Sequence, residues 1–298
     1  MVNHRHKRLS KTKEPDMDEI RKDLPAMVEK MPAFSQSVHR VIQLTSDINS
    51  DPKALVEVIQ HDPILMMRIL KLVNSPYFGL AQKISSINHA VVYIGINTVK
   101  NLALSTAVIG VLPSTNAAGF DMDGFLRHSL STAIITRILA RKSGVQERDI
   151  FDFFLSGLLH DFGKIVFAHF LPHEFKKALT LAKDEGIHLY EAEQKIFTAD
   201  HTQIGSLLGE KWNLPLHLVA CLREHHSHDQ EGSLMIDAVS AANQISKVLK
   251  LGYSGENIIE ILPTRITDLL GADMAAIIAS LGDISAEMEK AMIFIKHD

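Results

Sequence analysis

What most constrains this chain is a spacing. Apolar residues recur at helical intervals in segment after segment, and no sustained apolar–polar alternation marks a half-buried strand. Helix-start signals punctuate the pattern. An apolar set of Ile20, Leu24, Met27 and Val28 marks a first helix that breaks at Pro32, and Ser35 or Ser37 can cap a second through Val38, Val41, Ile42 and Leu44. Asp51-Pro52 and Asp62-Pro63 each place a capping carboxylate before a proline at the first helical position, where a missing N–H costs nothing. That device makes the dipeptide His61-Asp62 a cap and not a ligand pair. The run Ala107-Val108-Ile109-Gly110-Val111 is the one strand-like stretch, and its place in an apolar segment from Thr98 to Val111 favours helix.

The expected fold is therefore all-α. Small and polar residues from Ser114 to Gly119 read as a linker between two helical lobes, about 23–113 and about 120–251. The second lobe opens with a long helix capped by Asp121 or Asp123, striped by Phe125, Leu126, Leu130, Ile134, Ile138 and Leu139, and closed by Gly144. Later helices are expected over 174–183, 189–197 and 200–212, then from Pro215 and over 237–249. A C-terminal helical extension, 252–298, would hold two or three more, from Asn257, Thr267 and Ile284 onward. Residues 1–22 are expected to form a basic, flexible tail.

Composition narrows the class. The chain has 298 residues, 46% hydrophobic and 22% charged, enough to fill a core. No uncharged apolar run reaches about 18 residues, so neither a transmembrane helix nor a membrane partner is expected. A net charge of −4 argues against a dedicated nucleic-acid binder, although Arg5, Lys7, Arg8, Lys11 and Lys13 cluster before the first acid, Glu14. The single cysteine, Cys221, excludes an internal disulfide framework and points to a reducing cytoplasm; it reads as a small apolar helix residue. Met1 to Lys13 offers no apolar stretch for a secretory signal. Sixteen histidines are the compositional oddity, and histidine is the commonest metal ligand.

Those histidines acquire chemistry around Leu158-Leu159-His160-Asp161-Phe162-Gly163-Lys164. An apolar helix from Phe151 to Leu159 delivers an adjacent imidazole and carboxylate at its C-terminal end, and Gly163 is expected to supply the left-handed turn that stops it. Imidazole beside carboxylate is metal-ligand chemistry, and Lys164 adds a cation suited to a phosphate. His128 lies within the long helix, His201 opens a later one, His225-His226 ends the next, and Asn243 sits mid-way along the one after. Bundled helices can turn such residues inward on one metal centre. Taken singly, each has an ordinary role: a half-buried helix residue, a first-turn residue facing solvent, or a solvated helix end.

The first lobe carries Leu24-Pro25, Met31-Pro32, Asp51-Pro52, Asp62-Pro63-Ile64-Leu65 and Leu70-Lys71-Leu72-Val73-Asn74-Ser75. Ile84-Ser85-Ser86-Ile87 with Ala90 follows, then Gly95 before Val99. In this combination the chain resembles the HDOD family, the HD-related output domain of bacterial signalling proteins, from Leu24 to about Leu251. The resemblance implies a second lobe like the HD superfamily of metal-dependent phosphohydrolases. Beside the related HD-GYP phosphodiesterases, His128 matches the first histidine ligand, His160-Asp161 the signature pair and His201 the next ligand. His225-His226 matches the paired histidines, Lys164 the lysine that meets the substrate phosphate, and Asp161 would bridge two ions.

Three departures stand out. Asn243 replaces the final aspartate of the HD pattern, Gly124 stands where a further carboxylate can occur, and Ser227-His228-Asp229-Gln230-Glu231-Gly232 lacks the DGxGYP sequence. With Asp161 as the one secure carboxylate, a second divalent ion is expected to bind weakly or not at all, because two close dications need anionic ligands. Two readings follow. The first is a signalling output module that binds other signalling proteins or a small nucleotide-like ligand and keeps a divalent metal, one or two ions of iron, manganese, nickel or zinc. The second is a metal-dependent phosphohydrolase of a phosphodiester or phosphomonoester, such as a cyclic dinucleotide or nucleotide, with Asp161 and Lys164 catalytic. The eroded acidic ligands favour the first.

Overall fold

The computed structural model describes residues 17–46, 51–113, 115–227 and 233–295, and among them the chain is helical with no strand. The first half supplies α1 (Met17–Lys30), α2 (Gln36–Ser46), α3 (Pro52–Gln60), α4 (Pro63–Val73), α5 (Ile87–Ile94) and α6 (Ile96–Gly110). The second supplies α7 (Met122–Lys142), α8 (Ile150–Leu159), α9 (Gly163–Phe170), α10 (Pro172–Glu185), α11 (Leu189–Phe197), α12 (His201–Lys211), α13 (Leu216–Glu224) and α14 (Leu234–Val248). Then come α15 (Thr264–Leu270), α16 (Met274–Ala279) and α17 (Ile284–Ala291). The basic stretch up to Lys13 and residues 228–232, where the DGxGYP sequence is lacking, lie outside the described residues. Helix α1 already starts at Met17, inside the segment expected to be tail.

The Asp-Pro starts work as their chemistry predicts. Asp51 accepts the Lys53 N–H at 2.9 Å and Asp62 the Leu65 N–H at 3.0 Å, each satisfying a donor that the helix leaves without a partner. His61 donates from Nδ1 to the Glu57 carbonyl at 2.7 Å, so this second His-Asp pair is helix punctuation. Asn74 pins the turn cluster that follows: its Nδ2 donates to the carbonyls of Leu70 and Ile84, both at 2.8 Å, and its Oδ1 accepts the Ile84 N–H at 2.7 Å. The strand-like run at 107–111 is the end of α6, as its setting favours.

Helices α7, α8 and α14 form the centre. Small residues let α7 and α8 approach: a Cβ at Gly157 would fall 2.8 Å from the Cα of Ala133. Asp121, not Asp123, caps α7, accepting the Gly124 N–H at 3.0 Å, and Asp123 pairs with Arg127. Both ends of the described chain pack on helices of its second half. Helix α1 packs on α9, α11 and α12, and Lys211 donates to the carbonyls of Val28, Glu29 and Met31. The Trp212 indole N–H donates to the Pro32 carbonyl at 3.1 Å, and its ring stacks on Phe34. At the other end α17 lies on α7, and Phe294 packs against Tyr77, Phe151 and Phe154. No helix starts at Asn257; the chain from 251 to 263 is irregular. No single helix among the described residues is long and apolar enough to cross a membrane.

Candidate metal centre

Helix α8 is buried along its length apart from Asp152, so its end is carried into the interior, where His160 and Asp161 are both 0% exposed. Helix α9 begins at once. Gly163 is its first residue and does not adopt the left-handed conformation expected of it. Glycine is needed there for space: a Cβ would lie 1.9 Å from the carbonyl oxygen of His201 and 2.8 Å from the amide nitrogen of Gly205. Helices α9 and α12 thus meet backbone to backbone, which brings His201, in the first turn of α12, up to Asp161. Asp200 caps that turn by accepting the N–H groups of Thr202 and Gln203.

The two carboxylate oxygens of Asp161 face different partners. Oδ1 stands 3.3 Å from His201 Nε2 and 3.5 Å from His225 Nε2. His226 completes this side, its Nε2 3.3 Å from that of His201. Oδ2 faces His160 Nε2 at 3.4 Å, His128 Nε2 at 3.9 Å and the Lys164 ammonium at 2.7 Å. Donor atoms of Asp161, His201, His225 and His226 all lie within 4.8 Å of one another, as do those of His128, His160 and Asp161. Two adjoining clusters therefore share one carboxylate. Asn243 is buried in α14 with an Oδ1 that accepts no hydrogen bond, one turn before Ser246, whose hydroxyl lies 3.3 Å from His128 Nδ1.

Outer partners set the tautomers. Carbonyl oxygens only accept, so His160 must donate from Nδ1 to Gly157 at 2.8 Å, and His225 from Nδ1 to Cys221 at 3.1 Å. His201 Nδ1 meets the Glu193 carboxylate at 2.6 Å, and the same oxygen accepts the His201 backbone N–H at 2.8 Å. His160 and His225 are thereby left with Nε2 turned inward, the arrangement in which an outer acceptor orients a ligating imidazole, and His201 presents its Nε2 in the same way once a proton is displaced.

Electrostatics agree. Burial holds His128 and His226 well below the usual histidine range and His225 down to about 4, so all three are neutral at pH 7. Burial opposes ionisation of Asp161, but its interactions with His160, Lys164 and His201 outweigh it and hold the carboxyl well below its ordinary range. His201 runs the other way: burial would lower it, yet the Glu193 carboxylate lifts it to about 9.

The donor set fits a metal. His128 Nε2, His160 Nε2, His225 Nε2 and Asp161 Oδ1 are buried with no hydrogen-bond partner. A buried polar atom left so costs about 1–3 kcal/mol. One divalent cation satisfies several such atoms at once, and imidazole with carboxylate suits iron, manganese, nickel or zinc.

The HDOD domain model matches residues 31–228. The chain belongs to the HDOD family. An uncharacterized protein of Treponema pallidum is 28% identical over 247 residues, which are 82% of this chain and 45% of that protein, so this chain spans less than half of that relative's length. The fold is shared with an HDOD domain protein of Geobacter sulfurreducens, at TM-score 0.74 and 22% identity over 92% of this chain and 96% of that one. It is shared too with a Shewanella amazonensis protein described as a candidate metal-dependent phosphohydrolase, at TM-score 0.59 and 19% identity over 93% and 97% of the two chains.

In this HDOD protein the chain beyond α14 covers the centre. Ser131 donates to the Leu251 carbonyl at 3.0 Å, the Tyr253 N–H donates to the Gly124 carbonyl at 2.8 Å, and Lys164 donates to the Ser254 carbonyl at 3.1 Å. Gly252, at φ 91°, lies so close to α7 that a Cβ would sit 2.3 Å from the His128 amide nitrogen. Gly124, in the first turn of α7, is the seat of Tyr253: a Cβ there would lie 3.4 Å from the Tyr253 Cβ. Sequence reasoning missed Glu193 and everything contributed by 251–263. For Glu193 a signal existed: with Leu189, Ala192 and Phe197 it lies on the buried face of α11, where an acid needs a partner.

Proposed function

We propose that this HDOD protein is a regulatory output module that holds one divalent ion at Asp161, His201, His225 and His226 and acts by binding, without turnover. The observation that supports this reading is the state of Lys164. Its ammonium is 2.7 Å from Asp161 Oδ2 and 3.1 Å from the Ser254 carbonyl, and the residue is 2% exposed. A cation already stands on the His128 and His160 side of Asp161 and opposes a second ion there. The group suited to a phosphate is also occupied by the chain's own backbone. A bound ion would supply a fixed positive charge tying the α8–α9 turn to α12 and to the end of α13. For input, a cavity of about 1230 Å³ bounded in part by His188, Tyr190, Glu260 and Arg265 adjoins the centre through Glu260 and offers room for a small nucleotide-like ligand, alongside partner signalling proteins.

The second reading, a phosphohydrolase, is favoured by the convergence of His128, His160, Asp161, Lys164, His201, His225 and His226. It requires Lys164 to leave Ser254 for the substrate. Elemental mass spectrometry of purified protein, beside His160→Ala with Asp161→Ala, tests both readings together with assays on a nitrophenyl phosphodiester and on cyclic dinucleotides. One ion per chain, lost in the double variant, with no hydrolysis, is the expected result. Turnover abolished by the double variant would establish the hydrolase instead, and no metal after anaerobic reconstitution would end both readings.

A further inference from the structure

Each ligand histidine but one has its outer nitrogen engaged. His160 Nδ1 donates to Gly157, His225 Nδ1 to Cys221, His201 Nδ1 meets Glu193, and His128 Nδ1 lies against Ser246. His226 is the exception: its Nδ1 is buried with no hydrogen-bond partner, and Glu260 Oε2 stands 3.7 Å away. An imidazole whose outer nitrogen has no acceptor is free to take the wrong tautomer and to turn its N–H inward, where a ligand must present a lone pair.

We infer that Glu260 is a positioning residue for His226, and that metal retention in this chain depends on the segment after α14; the inference rests on the metal-centre reading above. Several observations bear on it. The Glu260 side chain is 8% exposed, so its charge stands in a low-dielectric wall next to the centre. Its backbone and side chain are clamped by one residue: Gln244 Oε1 accepts the Glu260 N–H at 2.9 Å, and Gln244 Nε2 donates to Glu260 Oε2 at 2.9 Å. The other acid nearby, Glu256, is already committed to Lys247. Tyr190, His225 and His201 pack around the His226 ring at centroid distances of 4.7, 4.4 and 5.2 Å. The ring is thereby held in place, and its Nδ1 stands 3.7 Å from Glu260 Oε2, about 0.5 Å beyond hydrogen-bond range. Glu260 would then do for His226 what Glu193 does for His201. The match to the HDOD domain ends at 228, so this carboxylate comes from outside the matched region.

Cobalt(II) alone is a suitable probe of the full chain, because its absorption bands report ligand number and geometry. Affinity is read by competition with a chromophoric chelator, and the melting temperature of the metal-free protein is measured beside it. Glu260→Gln keeps the size of the side chain and can keep the Gln244 contacts, but loses the charge. It is expected to weaken cobalt binding about 10- to 100-fold and to shift the absorption bands, with the metal-free melting temperature unchanged. Glu260→Asp, which keeps the charge and shortens the reach, is expected to fall between the two and serves if the glutamine variant does not fold. Cobalt affinity within about twofold of the wild type in the variant that folds would overturn the inference, whatever happens to the melting temperature. A wild type that binds no cobalt or other divalent ion would instead overturn the metal-centre reading beneath it.

Discussion

Gly163→Ala puts the packing argument at its sharpest. At the start of an ordinary helix the change is favourable, by about 0.4–1 kcal/mol, because alanine restricts the unfolded chain. Here the new Cβ would lie 1.9 Å from the His201 carbonyl oxygen and 2.8 Å from the Gly205 nitrogen. Both are backbone atoms in the first turns of α12 and cannot swing aside as a side chain can. Helix α12 must retreat by at least about 1 Å, and His201 goes with it. Such overpacking costs about 3 kcal/mol, the upper end of what cores show. For a chain of this size that lowers the melting temperature by roughly 5–10 °C. Thermal melting followed by circular dichroism, with divalent-ion affinity measured on the same samples, checks both consequences. A variant as stable as the wild type, binding metal equally well, would refute the claim that α9 and α12 fix the centre by direct backbone contact.

Four further outcomes are expected. Because Glu193 lifts His201 to about 9, metal uptake at pH 7 must displace a proton; apparent affinity should rise about tenfold per pH unit and level off above about 9, with proton release measurable by calorimetry in buffers of different ionisation enthalpy. The sign for stability is opposite: the raised His201 value stabilises the metal-free fold fully below about 6.5 and that contribution is lost as pH rises through about 9, so the urea midpoint should fall over that window. Lys164→Ala removes the ammonium from Asp161 Oδ2, and manganese titration should then show a second site at least about tenfold tighter than in the wild type. Asn74→Ala loses the bonds to Leu70 and Ile84 in a partly exposed turn, and should cost about 1–2 kcal/mol in urea denaturation with no change in metal affinity.

The local parts of this protein could be read from its residues. Helical period and the Asp51 and Asp62 caps act within a few residues of chain, and the structure has them where the spacing puts them. The clustered histidines were legible as candidates too, because they stand at helix ends and faces around one His-Asp pair. Other features depend on residues far apart in sequence. Gly163 looks like a helix stop until α12 is laid against it, and Lys164 looks like a free phosphate ligand until the Ser254 carbonyl is found on it. The bonds from Lys211 and Trp212 to the carbonyls of Val28 and Pro32 join residues some 180 positions apart, which no local spacing shows.

By itself, then, the sequence determined an all-α chain, its helix starts and the residues able to hold a metal, since periodicity and capping are short-range physics. Only the tertiary structure decided that Asp161 divides its two oxygens between two clusters, that Glu193 lies against His201 and Glu260 near His226, and that the chain after α14 covers the centre. Those are the outcome of burying charge: a carboxylate or ammonium taken out of water must find a partner wherever the folded chain supplies one, and no local spacing specifies where that is.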